Sequence, residues 1–324
     1  MMPEVKFAVS LRTGLAVGVL SVSLLAGCSQ PVPPAEKARV QNGIISRAPG
    51  SARPDPAINA LQWKTVSEQG HQVATTRLHG GREGDRLILY RPPQTAGRVP
   101  CIVMAAAGTR LFHGILLGEG DGEEHLRYLQ EGFAVVSCEI DGPLADADAE
   151  DSKAMVAAAK KFQAANAGIR NMQEALDVAE TLPWVDPKRI FVAGHSSAGT
   201  LALQTAAFEQ NRIAGCIAHA PGVDVPKHLG VILGLLESSG ATGLRATLDT
   251  LSPHNNVNRL TKPLFLFCAK DDSVIDESSV AAFADAVKKQ NPKVTYQTVP
   301  TGDHFDAMIK DGIPAAAQWA KQQQ

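Results

Sequence analysis

A single α/β domain, a mostly parallel central sheet with helices on both faces, is predicted for residues 61–324 by three observations. Short apolar runs recur along the chain, segments with helical spacing separate them, and no internal repeat interrupts the alternation. Strands buried on both faces read as continuous apolar stretches, and strand–helix alternation favours right-handed crossovers between parallel neighbours. The 324 residues, 44% of them hydrophobic, suffice for a large core.

The elements follow in order. Leu61 to Glu68, His71 to Leu78 and Arg86 to Arg91 read as short antiparallel strands at one edge, with Gly80-Gly81 and Glu83-Gly84-Asp85 as turn chemistry between the last two. The buried strands are predicted at Cys101 to Ala107, Phe133 to Ile140, Arg189 to Ala193, Ile213 to Ala218, Leu264 to Ala269 and Val294 to Val299. The longest helical pattern, Ala154 to Leu182, spaces Met155, Ala158, Phe162, Ala165, Ile169, Met172, Leu176 and Ala179 by threes and fours. Gly168 offers a bend and Pro183 a stop. Between two strands, Pro221 to Asn258 reads as a small cap segment whose apolar residues Leu229, Val231, Ile232, Leu233, Leu235 and Leu236 belong either to a pocket cover or to a core helix.

The N-terminus reads as an address. Lys6 and Arg12 precede 15 uncharged residues, Thr13 to Gly27, too few for a comfortable membrane span of about 20 residues and suited to a signal-peptide core. Leu25-Ala26-Gly27-Cys28 matches a bacterial lipoprotein lipobox, which predicts removal of residues 1–27 and lipid attachment at Cys28. A plain secretory signal is the alternative. Residues 28–60 carry six prolines and read as a tether. The expected location is the bacterial cell envelope, with Ser29 after the cysteine favouring the outer membrane where there is one.

Composition excludes several function classes. With 31 Lys plus Arg against 33 Asp plus Glu, the formal charge of -2 gives no electrostatic case for nucleic acid. No CxxC, HxxxH or HxH spacing occurs, so neither a metal nor a cofactor is expected. Cys101, Cys138, Cys216 and Cys268 fall in or at the start of strands and read as small core residues. Oxidation of a pair would require disulfide geometry that side chains on central strands seldom meet. Gly118 to Gly122 resembles a phosphate loop only in glycine content, because Glu119, Asp121, Glu123 and Glu124 would repel phosphate. Asp141, Asp146, Asp148, Glu150 and Asp151 match no EF-hand spacing and read as a solvated loop leading into a helix.

Three residues carry the predicted chemistry. Arg189-Ile-Phe-Val-Ala193 runs into Gly194-His-Ser-Ser-Ala-Gly199 and then Thr200-Leu-Ala-Leu, the strand, sharp turn and helix of a nucleophile elbow. Gly194 and Ala198 are small because the turn is tight, so Ser196 is the predicted nucleophile. Centring the turn on Ser197 would force His195 into a position that needs a small residue. A serine hydroxyl needs a histidine to take its proton and a carboxylate to orient that histidine. Asp272, in Ala269-Lys-Asp-Asp272, and His304, in Gly302-Asp-His304, supply both in the order Ser, Asp, His, with Asp271 the rival acid. His195, His219 and His254 read as structural. The oxyanion hole is expected from the backbone NH of Ser197 together with Gly108 or Thr109, in the loop after the strand at Cys101.

Gly194-His-Ser-Ser-Ala-Gly199, Ala-Lys-Asp-Asp and Gly-Asp-His together resemble the catalytic domain of the prolyl oligopeptidase family and the similar dienelactone hydrolases, over roughly Arg86 to Lys321. The resemblance implies an α/β-hydrolase fold and a serine hydrolase with Ser196, Asp272 and His304 as its triad. Prolyl oligopeptidases proper carry a β-propeller, for which the residues before this domain leave no room, and dienelactone hydrolases commonly use cysteine where this chain has serine. A small or medium carboxylic ester is therefore the expected partner at the site. A short peptide is the second candidate, and a non-catalytic binding module is the reading from a different class.

Overall fold

The computed structural model describes residues 60–78, 84–93, 97–106, 117–142 and 151–323. Nine strands form one sheet in the order β1-β2-β3-β5-β4-β6-β7-β8-β9. The first three, β1 (Lys64–Thr65), β2 (Gln72–Arg77) and β3 (Arg86–Arg91), are antiparallel and make one edge, as the alternating, turn-bounded sequence predicts. β3 pairs antiparallel with β5 (Ala134–Cys138), and every later pairing is parallel: β4 (Val99–Ala105), β6 (Val185–His195), β7 (Gly215–His219), β8 (Leu264–Ala269) and β9 (Val294–Val299).

Side-chain alternation divides the core between the faces of this sheet. On β4, Cys101, Val103 and Ala105 join one buried cluster while Ile102 and Met104 join the other. On β8, Leu264 and Leu266 divide from Phe265 and Phe267 in the same way. One face is covered by α1 (Gly122–Gln130) and α8 (Ile313–Gln322), through Tyr128, Leu129, Ile313 and Trp319. The other is covered by α2 (Ser152–Ala164), α3 (Ile169–Thr181), α4 (Ser196–Phe208) and α7 (Glu277–Lys288), through Phe162, Met172, Leu176, Leu201 and Phe283. The chain has the α/β-hydrolase fold. The cap region supplies α5 (Val225–Ser238) and α6 (Leu244–Leu251). Among the described residues no helix is long and apolar enough to cross a membrane.

Two expectations are corrected. The single helix predicted over Ala154 to Leu182 is two helices, α2 and α3, separated by Asn166, Ala167 and Gly168 at φ of 52°, 55° and 91°. A Cβ at Gly168 would come within 3.0 Å of Ile140 and Leu201, so the break brings the backbone against the neighbouring helix. Both helices bury the same side, which is why the apolar spacing runs through the break unchanged. The first edge strand shrinks to Lys64–Thr65, because a turn closes at once with the Val66 NH donating to the His71 carbonyl.

The four strand cysteines are buried, free thiols, and burial pushes all four upward in pKa. Asp151 caps α2 by accepting from the Lys153 NH at 2.9 Å, as the helix-start reading requires. Asp141 pairs with Arg170, and no cluster suited to a metal occurs among the described residues. Cys28, the tether, Gly80-Gly81, Gly108, Thr109, Asp146, Asp148 and Glu150 lie outside the described residues.

Candidate active site

Ser196 stands where β6 turns into α4. Its φ of 54° is a conformation that a non-glycine residue adopts only under constraint, and His195 before it is still extended. The turn is so close that a Cβ on Gly194 would lie 2.3 Å from the Ala198 carbonyl carbon. A Cβ on Gly199 would lie 3.0 Å from the carbonyl oxygens of Gly194 and His219. These contacts explain the small residues at 194, 198 and 199 in physical terms. The N-terminus of α4, with the Ser197 amide, follows the serine directly and favours negative charge there.

Asp272 and His304 come together from the loops after β8 and β9. His304 Nδ1 lies 3.0 Å and 2.9 Å from the two Asp272 carboxylate oxygens. The Asp272 side chain is 1% exposed, and its Oδ1 also accepts from the amides of Val274 at 2.9 Å and Ile275 at 2.8 Å. Burial pulls this carboxyl upward, but the His304 hydrogen bond and the two amides outweigh it and hold the group below the usual carboxylate range.

Asp271 does something else: its two oxygens accept from the amides of Asp303 at 2.9 Å and Gly302 at 3.2 Å. Asp303 reciprocates by accepting the amide and hydroxyl of Ser273, each at 2.8 Å. The two loops are thus laced together on either side of the Asp272–His304 pair. The bond to Ser273 lowers the Asp303 carboxyl below its usual range. Asp303 itself sits at φ of 52°, next to Gly302 at 125°.

His195 joins the serine turn to the histidine loop. Its Nε2 lies 3.0 Å from the His304 carbonyl oxygen, so that nitrogen carries the proton and donates, and the two rings lie tilted at 43° with centroids 4.4 Å apart. Burial, then repulsion from His304, pushes His195 down to about 3, which keeps it neutral. His219, pushed down to about 3 mainly by burial, has Nε2 3.0 Å from the Tyr128 hydroxyl. His254 Nδ1 lies 3.1 Å from the Val223 carbonyl oxygen.

Beside Ser196 opens a cavity of about 150 Å³. Its walls come from α4, the cap helix α5 and the Asn166 to Gly168 turn, and are mostly apolar: Phe162, Ala167, Leu201, Leu229 and Leu248 among them. The cap question resolves residue by residue. Leu229 lines the cavity, Leu233 and Leu236 are buried in the core, and Val231, Ile232 and Leu235 are exposed. Sequence reasoning missed Thr200, Gln204 and His228 as lining residues. The spacing of Ser196, Thr200 and Gln204 by four along one helix was the available signal.

The sequence profile of the prolyl oligopeptidase family matches residues 125–323. This chain belongs to the prolyl oligopeptidase family. It is a serine hydrolase. No curated protein sequence matches it. Solved structures share the fold at low identity. Acetyl xylan esterase 1 from Thermoanaerobacterium sp. JW/SL YS485 is similar at 17% identity and a TM-score of 0.59, over 90% of this chain and 94% of that one. The acetyl xylan esterase from Paenibacillus sp. R4 gives 15% and 0.61, over 90% and 95%. The S-formylglutathione hydrolase from Agrobacterium tumefaciens gives 16% and 0.59, over 81% and 98%.

Proposed function

We propose that this family member cleaves small to medium carboxylic esters through an acyl-enzyme on Ser196. His304 Nε2 takes the Ser196 proton as Oγ attacks the ester carbonyl, and Asp272 holds the ring through Nδ1, which keeps its own proton and leaves Nε2 as the base. The Ser197 amide, with one from Gly108 or Thr109, takes the developing oxyanion. His304 then returns the proton to the leaving alcohol, and water repeats the cycle in reverse to free the acid. The observation that carries the ester reading is the apolar cavity beside Ser196, which suits desolvation of an acyl or alkyl group better than pairing with a peptide backbone. The esterases that share the fold are consistent with it. Lipid attachment at Cys28, which would place the enzyme on the cell envelope, belongs to the same proposal.

Comparing kcat/KM for short-chain aryl esters with that for matched peptide amides, proline-containing ones included, tests the reading. Faster ester cleavage is expected, abolished in Ser196→Ala. Faster amide cleavage would establish a peptidase instead, and full activity in Ser196→Ala would remove the catalytic assignment.

A further inference from the structure

Ser196, Thr200 and Gln204 follow one another at intervals of four along α4, and all three line the cavity. At 1.5 Å per residue, Gln204 lies about 12 Å along the helix from the nucleophile. Along the lining Val274 is 52% exposed, whereas Phe162, Gln204 and Leu248 are 7%, 3% and 1% exposed. The buried part of the lining is apolar except for the Thr200 hydroxyl and the Gln204 carboxamide.

That carboxamide is unused. Among the described residues the Gln204 side chain makes no hydrogen bond, although a nearly buried amide ordinarily finds a partner, and what little exposure the residue keeps is to the cavity. The Thr200 hydroxyl, by contrast, commits its one proton to the Gly222 carbonyl at 2.9 Å. A glutamine carries both donors and an acceptor, so either kind of group on a ligand can be met.

We propose that Gln204 is a specificity-determining residue, selecting substrates whose arm in this cavity runs as an apolar chain from the reacting carbonyl and ends in a neutral hydrogen-bonding group such as a hydroxyl or amide. The proposal rests on Ser196 being the nucleophile. A plain hydrocarbon arm would fill the same space while leaving the carboxamide desolvated and unpaired. Sites built to hydrogen-bond a substrate group discriminate strongly against analogues that lack it. A charged terminus is disfavoured for the opposite reason, since the buried lining that includes Gln204 holds Phe162, Leu201 and Leu248 and no ionised partner among the described lining residues.

Two matched series on the full chain test this. One compares p-nitrophenyl octanoate with p-nitrophenyl ω-hydroxyoctanoate, so that the acyl arm varies. The other compares octyl acetate with ω-hydroxyoctyl acetate, so that the alcohol arm varies. The expected result is a kcat/KM preference of about tenfold or more for the hydroxylated member in the series whose arm enters the cavity. Gln204→Leu should level or reverse that preference, and Gln204→Met provides the same readout should the leucine variant fail to fold. A ratio near one in both series, or a preference that survives the Gln204 substitutions, overturns the proposal. Calorimetric binding to Ser196→Ala of the matched pair that varies the entering arm, methyl octanoate with methyl ω-hydroxyoctanoate for the acyl arm or octyl acetate with ω-hydroxyoctyl acetate for the alcohol arm, reads the same preference without turnover. Absence of all Ser196-dependent hydrolysis with that binding preference intact would sink the esterase reading, and with it the substrate-selecting role, and leave Gln204 only as a ligand-binding residue of the cavity. Equal binding of the matched pair with hydrolysis intact would remove the role of Gln204 and leave the esterase reading.

Discussion

Asp271 and Asp272 are chemically identical neighbours whose hydrogen bonds give them different work. Asp272 faces the His304 ring, and Asp271 holds the Gly302 and Asp303 amides that shape the loop carrying it. Asp272→Asn is expected to lower kcat by about four orders of magnitude, because the asparagine NH₂ favours the wrong histidine tautomer. Asp271→Ala is expected to cost roughly tenfold, with KM little changed, because it loosens the loop without touching the proton path. Equal losses in the two would contradict the division. The sequence places both carboxylates at the end of β8, but it cannot tell them apart, since which one faces the histidine depends on the turn after the strand. A second prediction concerns Glu124, buried on α1 with Oε1 4.0 Å from His195 Nδ1. Burial, then the charge of Asp121, pushes it up to about 8. A carboxyl raised in the folded state keeps its full stability contribution below its unfolded value of about 4.3 and loses it as pH rises through about 8. Glu124→Gln should therefore stabilise the fold by on the order of 2 kcal/mol near pH 8 and by much less near pH 4. Urea titrations at the two pH values decide it, and a gain of equal size at both would mean that folding does not raise the Glu124 carboxyl.

At the scale of elements, strands were the more legible. Each predicted strand is present, the central ones because an apolar run buried on both faces leaves little alternative, the half-exposed β1, β2 and β9 at the edges by their turn-bounded pattern, whereas helix continuity is not encoded in apolar spacing. The break at Asn166 to Gly168, which Gly168 signals in the sequence only as a bend, and the kink inside α5 both leave the apolar spacing intact, and their extent shows in the backbone angles. The α5 kink is at Gly230, with φ 51° and ψ -121°, between the part that lines the cavity through Val225, His228 and Leu229 and the part that buries Leu233 and Leu236. A Cβ at Gly230 would meet nothing within 4 Å, so a substitution there probes backbone strain alone. Gly230→Ala is expected to lower stability by about 1 to 3 kcal/mol with an unchanged denaturant slope. A stability equal to or above wild type would show that α5 runs on without this bend. At the elbow the same argument is harsher, since at Gly194 an added methyl would have to displace the backbone of Ala198.

For the whole molecule, the mostly parallel sheet covered on both faces and the loops after β8 and β9 that carry Asp272 and His304 follow from the alternation of elements, whereas the strand order does not. The residues before the domain are read from sequence alone. Their pattern is a basic start, a 15-residue uncharged stretch and Leu-Ala-Gly-Cys, followed by a proline-rich segment with little to bury. We propose that Cys28 carries lipid and that the proline-rich segment lets the hydrolase work away from the membrane surface. Ser196, Asp272, His304 and the cavity are all formed by residues from Ile140 onward, so the anchor and the chemistry should be separable. Metabolic labelling with a palmitate analogue should mark the wild-type protein, and Cys28→Ser should abolish the label and release the protein from the membrane fraction. Hydrolysis by the purified variant should keep the wild-type kcat/KM, because no residue near position 28 is needed to position the reacting groups. On this proposal the membrane association of the wild type depends on that acylation. Label that survives Cys28→Ser would show that lipid is attached elsewhere or not at this motif. Loss of turnover in the variant would show that the tether reaches the active site, and either result would overturn the separation of anchor from catalyst.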